Sequence, residues 1–253
     1  MTTEPKPAIL CLHGHGSNGA IFRTQCQQLS NALSPHFRLL FLNSPITTPQ
    51  AGVGVHPHYA HIKPYRRWHQ DPNTIGLFDV TAEDVERERR IVRESLKEVI
   101  ERERASGSAV VGVMGFSQGT RVAVAVCLDP ELGRNIKFAI MVCGIGPELS
   151  LGTASGLGSP GNAGAPRPSL DIVSVHVQGS ADPWSAKGTR LMRQYFNPGL
   201  ATVVRFQGGH EIPVKTGDVQ RIAAVMAECW GYGSVPDVEV ADAHEVTPKM
   251  VAV

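Results

Sequence analysis

Short apolar runs closed by turn residues recur along this chain. Residues 8–12 (AILCL) run into His-Gly and residues 37–42 (FRLLFL) run into Asn-Ser-Pro, which predicts two buried strands. Between them, residues 21–33 have helix-like spacing. Residues 79–104 form a long charged stretch with Val85, Val92, Leu96 and Val99 on one stripe, and Thr81 with Asp84 offers a capping-box start, which predicts a surface helix with one buried face. Residues 109–116 (AVVGVMGF), rich in Val and bounded by Gly, meet a small-residue helical pattern over 118–128: a strand, a sharp turn and a helix. The strand theme returns at 137–143 (KFAIMVC), 171–177 (DIVSVHV) and 202–206 (TVVRF), with helical patterns at 186–196 and 213–230.

Continuous apolar strands alternating with helices predict an α/β fold, a doubly wound and mostly parallel sheet of about six strands covered on both faces. Two segments break the rhythm. Residues 44–76, dense in Pro, His and aromatics, predict a functional excursion, and the Gly/Ser/Ala/Pro stretch 149–170 predicts a mobile loop. The tail, residues 232–253, has little periodicity and is expected to be loosely attached. The chain contains no internal repeat, and one domain with its core over 8–230 is expected.

Composition narrows the function. With 24 Lys+Arg against 23 Asp+Glu the formal charge is +1, which argues against a nucleic-acid or membrane-surface protein. A 42% hydrophobic content suffices for one sizeable core. There is no apolar run of membrane-spanning length, and the polar start is unlike a signal peptide, so a cytoplasmic location is expected. Five cysteines without close pairs, three of them in apolar runs, are expected to be reduced.

The chemistry centres on Gly115-Phe116-Ser117-Gln118-Gly119, a Gly-x-Ser-x-Gly pentapeptide. The pattern alone is weak; its position where a strand meets a helix gives it weight, because that turn strains Ser117 and lifts its hydroxyl to the carboxyl edge of the sheet beside a helix N-terminus. The flanking glycines are then required, since side chains there collide with neighbouring backbone. A serine hydroxyl needs a histidine to take its proton and a carboxylate to orient that histidine. Asp182 follows the strand over 171–177 and His210 follows the strand over 202–206, in the chain order Ser, Asp, His and on the same edge as Ser117. Asp171 precedes its strand, Asp218 lies inside a helical pattern and Glu211 adjoins His210, so these carboxylates are worse placed. An oxyanion hole needs two backbone N–H groups: Gln118 supplies one, and His15, in the Gly-rich loop LHGHGSNG, supplies the other, with His13 pinning the loop. That loop lacks the spacing of a phosphate or dinucleotide motif, so no cofactor is implied. His56, His58 and His61 lack partners with metal-ligand spacing and are explained by a polar loop; no metal site is expected.

With these residues in place, the chain resembles the FSH family of serine hydrolases, a compact branch of the α/β-hydrolase superfamily. The resemblance rests on ILCLHGHGSNGAIF, PYRRWH, MGFSQGTRVAV, HVQGSADPW and GGHEIP, in order over residues 8–230. It is similar above all to stand-alone fungal enzymes encoded beside polyketide synthases, which hydrolyse a finished acyl chain from the carrier domain. The resemblance implies an α/β-hydrolase fold, a Ser117, Asp182, His210 triad and a cap formed largely by residues 44–76. Because the sequence reaches the strand before the oxyanion loop almost at once, the antiparallel strands that usually open that sheet are expected to be missing.

The expected reaction is acyl transfer to water from a thioester or ester. Tyr65, Trp68 and Trp184 are candidates to line an apolar acyl pocket, with packing of the excursion as the alternative. Arg66 and Arg67 are candidates to meet the phosphate of a phosphopantetheine arm, with a solvated surface pair as the alternative. A general carboxylesterase or lactonase would use the same machinery, and a ligand-binding protein on a hydrolase scaffold stands as a third reading.

Overall fold

The computed structural model describes residues 5–70, 80–146 and 169–230. The chain runs through β1 (Ala8–Leu12), α1 (Gly19–Gln25), α2 (Gln27–Leu33), β2 (Arg38–Leu42), β3 (Ile46–Thr47), β4 (Arg66–Arg67) and α3 (Ala82–Ala105). It continues with β5 (Val110–Phe116), α4 (Gln118–Leu128), β6 (Phe138–Val142), β7 (Val173–Gly179), α5 (Ser185–Tyr195), β8 (Ala201–Phe206) and α6 (Thr216–Trp230). The apolar runs form one six-stranded sheet in the order β2-β1-β5-β6-β7-β8, parallel throughout. β3 and β4 form a separate antiparallel pair inside the excursion.

Both faces are covered, which is why the strands are apolar on alternate and intervening positions alike. Ala8, Leu10 and Leu12 join the cluster containing Val92 and Leu96 of α3, Val122 and Val126 of α4 and Leu191 of α5. Ile9 and Cys11 point the other way, toward Phe22 of α1, Leu29 and Leu33 of α2 and Ile222 and Met226 of α6. The long helix α3 begins at a capping box in which the Thr81 hydroxyl accepts from the Asp84 amide and the Asp84 carboxylate accepts from the Thr81 amide. It buries Val85, Val92, Leu96 and Ile100, while Val99 on the same stripe is half-buried.

The register sets the site. Leu12 pairs with Gly115, Phe116 with Val142, Val142 with Val177 and Gly179 with Phe206, so the loops after five strands open on one edge. The order reverses between β1 and β5, the switch point at which an open α/β sheet presents a crevice.

Three details depart from the sequence pattern. The helix expected over 21–33 breaks at Cys26, which is fully buried, and its residue type gives no sign of the break. β7 runs on to Gly179 because Gln178 and Gly179 pair through their backbones with Arg205 and Phe206, a pairing that asks nothing of the side chains. The β3–β4 pair has only two residues per strand and no periodicity to reveal it. Among the described residues no helix is long and apolar enough to cross a membrane. Most of the 149–170 stretch, the end of the excursion and the C-terminal tail lie outside the described residues.

Candidate active site

The turn from β5 into α4 carries the site's first strained residue. Ser117 has φ 51° and ψ −117°, a left-handed conformation that a residue with a Cβ holds only at a cost. The glycines on either side show why the turn has this composition. A Cβ on Gly119 would lie 2.1 Å from the Leu12 carbonyl oxygen, and one on Gly115 would lie 2.6 Å from the Gly119 backbone. Strand β1 and the first turn of helix α4 are thus packed backbone to backbone next to the serine. Gly119→Ala is expected to cost about 1–3 kcal/mol of stability by overpacking against backbone, and to slow turnover because the elbow must shift. Thermal unfolding and ester hydrolysis on one preparation check this; wild-type values for both would show that the turn tolerates a methyl group.

Asp182 and His210 arrive from the ends of β7 and β8. His210 Nδ1 and Asp182 Oδ2 are 3.0 Å apart, and the two side chains are 4% and 2% exposed. The Trp184 amide donates to the other carboxylate oxygen, Oδ1, at 2.8 Å, which turns Oδ2 toward the imidazole. With Nδ1–H donating to the carboxylate, Nε2 carries the lone pair, and it is buried without a hydrogen-bond partner. Two rings hold the imidazole in place: Trp184 edge-on at 4.4 Å and Phe116, the residue before Ser117, at 5.2 Å. Among the described residues no hydrogen bond joins Nε2 to the Ser117 hydroxyl, which is half-buried.

The Gly-rich loop after β1 lies against the serine. A Cβ on Gly14 would sit 3.4 Å from the Ser117 Cβ. His13 pins the loop: its Nδ1 donates to the Gly14 carbonyl at 2.8 Å and its Nε2 accepts the Ser44 amide at 3.2 Å. Burial lowers its pKa to about 4, so both bonds persist at neutral pH. Burial and then the Arg67 guanidinium lower the His15 imidazole. The His15 and Gln118 backbone N–H groups make no hydrogen bond among the described residues, so both are available to an oxyanion.

The excursion is sewn to both loops. The Gln118 side chain accepts the Trp68 amide at 2.8 Å and donates to the His69 carbonyl at 3.2 Å, while Trp68 Nε1 donates to the His13 carbonyl at 2.8 Å. Trp68 is fully buried, and Tyr65 packs on Ile21 and Val55 with its hydroxyl donating to the Ala60 carbonyl. Arg67 makes two bonds of 2.6 Å to the Glu88 carboxylate, and Arg66 donates to the Ser44 carbonyl at 2.7 Å. Of the five residues read as substrate contacts, the structure brings Trp184 against His210 and sets the other four in the anchoring of the excursion.

Beside His210 lies a groove of about 270 Å³, walled by Val53 and Tyr59 of the excursion, Phe116, Ile212 and Val214. Val53 and Val214 are exposed and form an apolar lip. One further residue has no functional signal in the sequence: Cys143, directly after β6, whose Sγ lies with an Asp182 oxygen and a His210 nitrogen inside 4.8 Å. This trio is the one group of potential metal ligands among the described residues, and two of its members already face each other in a hydrogen bond.

The family described as Serine hydrolase (FSH1) matches residues 1–222. Thioesterase FSL2 of Gibberella zeae is 44% identical over 230 residues, covering 88% of this chain and 92% of that protein. The probable esterase azaC of Aspergillus niger is 33% identical over 231 residues, covering 87% and 83%. Among solved structures, a Bacillus cereus carboxylesterase shares the fold, with a TM-score of 0.55 at 16% identity over 90% of this chain and 91% of that one.

Proposed function

The chain belongs to the serine hydrolase (FSH1) family, and from that premise we propose that it cleaves an acyl thioester with Ser117, His210 and Asp182, releasing a polyketide acyl chain from the carrier domain of a fungal synthase. That it is an α/β-hydrolase-fold enzyme acting on ester or thioester bonds follows from the family and its relatives. The observation that carries the assignment of the triad is the His210–Asp182 pair, 3.0 Å apart, with Nε2 buried and unpartnered and with Ser117 strained at the same edge of the sheet.

In this mechanism Ser117 Oγ attacks the carbonyl carbon while its proton passes to His210 Nε2. The oxyanion takes hydrogen bonds from the His15 and Gln118 amides. The C–S bond breaks, Nε2–H returns the proton to the leaving thiolate, and an acyl-Ser117 remains. Water then gives its proton to Nε2 and adds to the acyl carbon, and Ser117 departs with that proton, leaving the free acid. Asp182 keeps Nδ1 protonated and balances the imidazolium formed twice per cycle. The groove bordered by His210 and Phe116 is the candidate seat for part of the substrate, and Trp184 packs edge-on against the imidazole.

The 44% identity to a thioesterase favours a thioester over an oxygen ester. One acyl chain presented both as a pantetheine thioester and as an oxygen ester tests this: a kcat/KM about tenfold or more in favour of the thioester is expected, abolished in Ser117→Ala. Equal or faster ester cleavage would replace carrier release by a general carboxylesterase.

A further inference from the structure

Two non-glycine residues among the described residues hold a positive φ: Ser117 at 51° and Cys143 at 46°. They follow β5 and β6, which are hydrogen-bonded neighbours, so both strained residues stand at the same edge of the sheet. A left-handed residue with a Cβ carries a conformational cost that glycine avoids, and such strain persists where the surrounding structure holds the side chain to a task. For Ser117 the task is nucleophilic attack. Cys143 calls for its own explanation.

The Cys143 amide donates to the Val177 carbonyl at 2.8 Å, fixing its backbone between the ends of β6 and β7. Its Sγ lies 3.4 Å from the Glu211 carbonyl and 3.8 Å from the Gly209 carbonyl, the groups on either side of His210. The same sulfur is within 4.8 Å of an Asp182 oxygen and a His210 ring nitrogen. Burial, and then the Asp182 charge, push the thiol up to about 12, so it stays protonated and keeps a hydrogen to donate. It is inert as a nucleophile and shaped as a tie.

We propose that Cys143 is a positioning residue for this hydrolase: its thiol donates to the Glu211 carbonyl and clamps the loop bearing His210 against Asp182. This rests on the reading of Ser117, Asp182 and His210 as the catalytic set. Misplacing a base by about 1 Å costs up to about a hundredfold in rate, so the clamp acts on kcat and leaves substrate binding alone.

The test uses the full chain as Cys143→Gly, Cys143→Ala and Cys143→Ser, with kcat and KM for one chromogenic ester and the melting temperature of each. Glycine removes the strain and the sulfur together, alanine the sulfur alone, and serine restores a donor. The expected result is a kcat about 10- to 100-fold lower in the glycine and alanine variants with KM within about twofold, and recovery of most of the loss in serine. The glycine variant is expected to unfold no earlier than the alanine variant, since it sheds the strain. Wild-type kcat in both glycine and alanine variants would overturn the proposal. So would a serine variant as slow as alanine with equal loss of stability, the mark of a sulfur that only fills space. Should alanine not fold, the glycine and serine pair decides alone. Full turnover by Ser117→Ala would instead bring down the catalytic reading itself, independently of the cysteine series.

Discussion

Ser117→Ala is expected to lower kcat toward both thioesters and esters by about ten-thousandfold or more and to leave the protein folded, since one hydroxyl starts every turnover in the proposed mechanism. The size follows from the role proposed for the hydroxyl: Ser117 Oγ is the atom that attacks the carbonyl carbon, and alanine offers nothing in its place. The stability change is small because the Ser117 hydroxyl makes no hydrogen bond among the described residues and alanine keeps the Cβ that the turn already accommodates. The residual rate reports what the amides and substrate binding achieve without a nucleophile. Turnover alongside thermal unfolding measures both parts; a variant retaining a few per cent of wild-type activity would point to a different nucleophile.

Asp182→Asn is expected to give the second large effect, a loss of about a thousand- to ten-thousandfold in kcat. The Trp184 amide donates to Oδ1 at 2.8 Å and selects the oxygen of an asparagine for that position. The amide NH2 then faces His210 Nδ1 across the 3.0 Å gap, so Nδ1 must accept and its proton moves to Nε2. An imidazole protonated at Nε2 cannot take the proton of Ser117. The asparagine side chain does not titrate, so raising the pH does not restore the rate, whereas the near-equal volume leaves the melting temperature close to wild type. A rate within about tenfold of wild type would mean that another group sets the tautomer.

The three loops that meet here are legible in the sequence for a physical reason. Each follows an apolar run, and in a parallel sheet with aligned register the ends of such runs share one edge, so the loops carrying Ser117, Asp182 and His210 fall on that edge without any knowledge of side-chain contacts. The glycines at 115 and 119 are legible because a tight turn between strand and helix leaves no room for a Cβ, as the Leu12 carbonyl shows. What stays hidden depends on distant partners. Cys143 ends the apolar string KFAIMVC and reads as a small hydrophobe; its positive φ and its approach to Glu211 arise only when β6, β7 and the His210 loop are assembled. The clamp of Gln118 on Trp68 and His69 spans about fifty positions, and the Arg67–Glu88 pair joins the excursion to α3. Tyr65 and Trp68 illustrate the same limit, since an aromatic in a loop looks alike from the sequence whether it lines a pocket or packs beneath a cap. Residues 147–168 and the tail after Trp230 lie outside the described residues.

The central claim is that Ser117 is made nucleophilic by the His210–Asp182 pair. The most direct test is labelling with a fluorophosphonate, followed by mass mapping of the modified peptide, in wild type, Ser117→Ala, His210→Ala and Asp182→Asn. One adduct per chain on the peptide carrying Ser117 is expected, with none in Ser117→Ala and labelling slowed by orders of magnitude in the other two. An adduct on another residue, or labelling of Ser117 at the wild-type rate without His210, would contradict it.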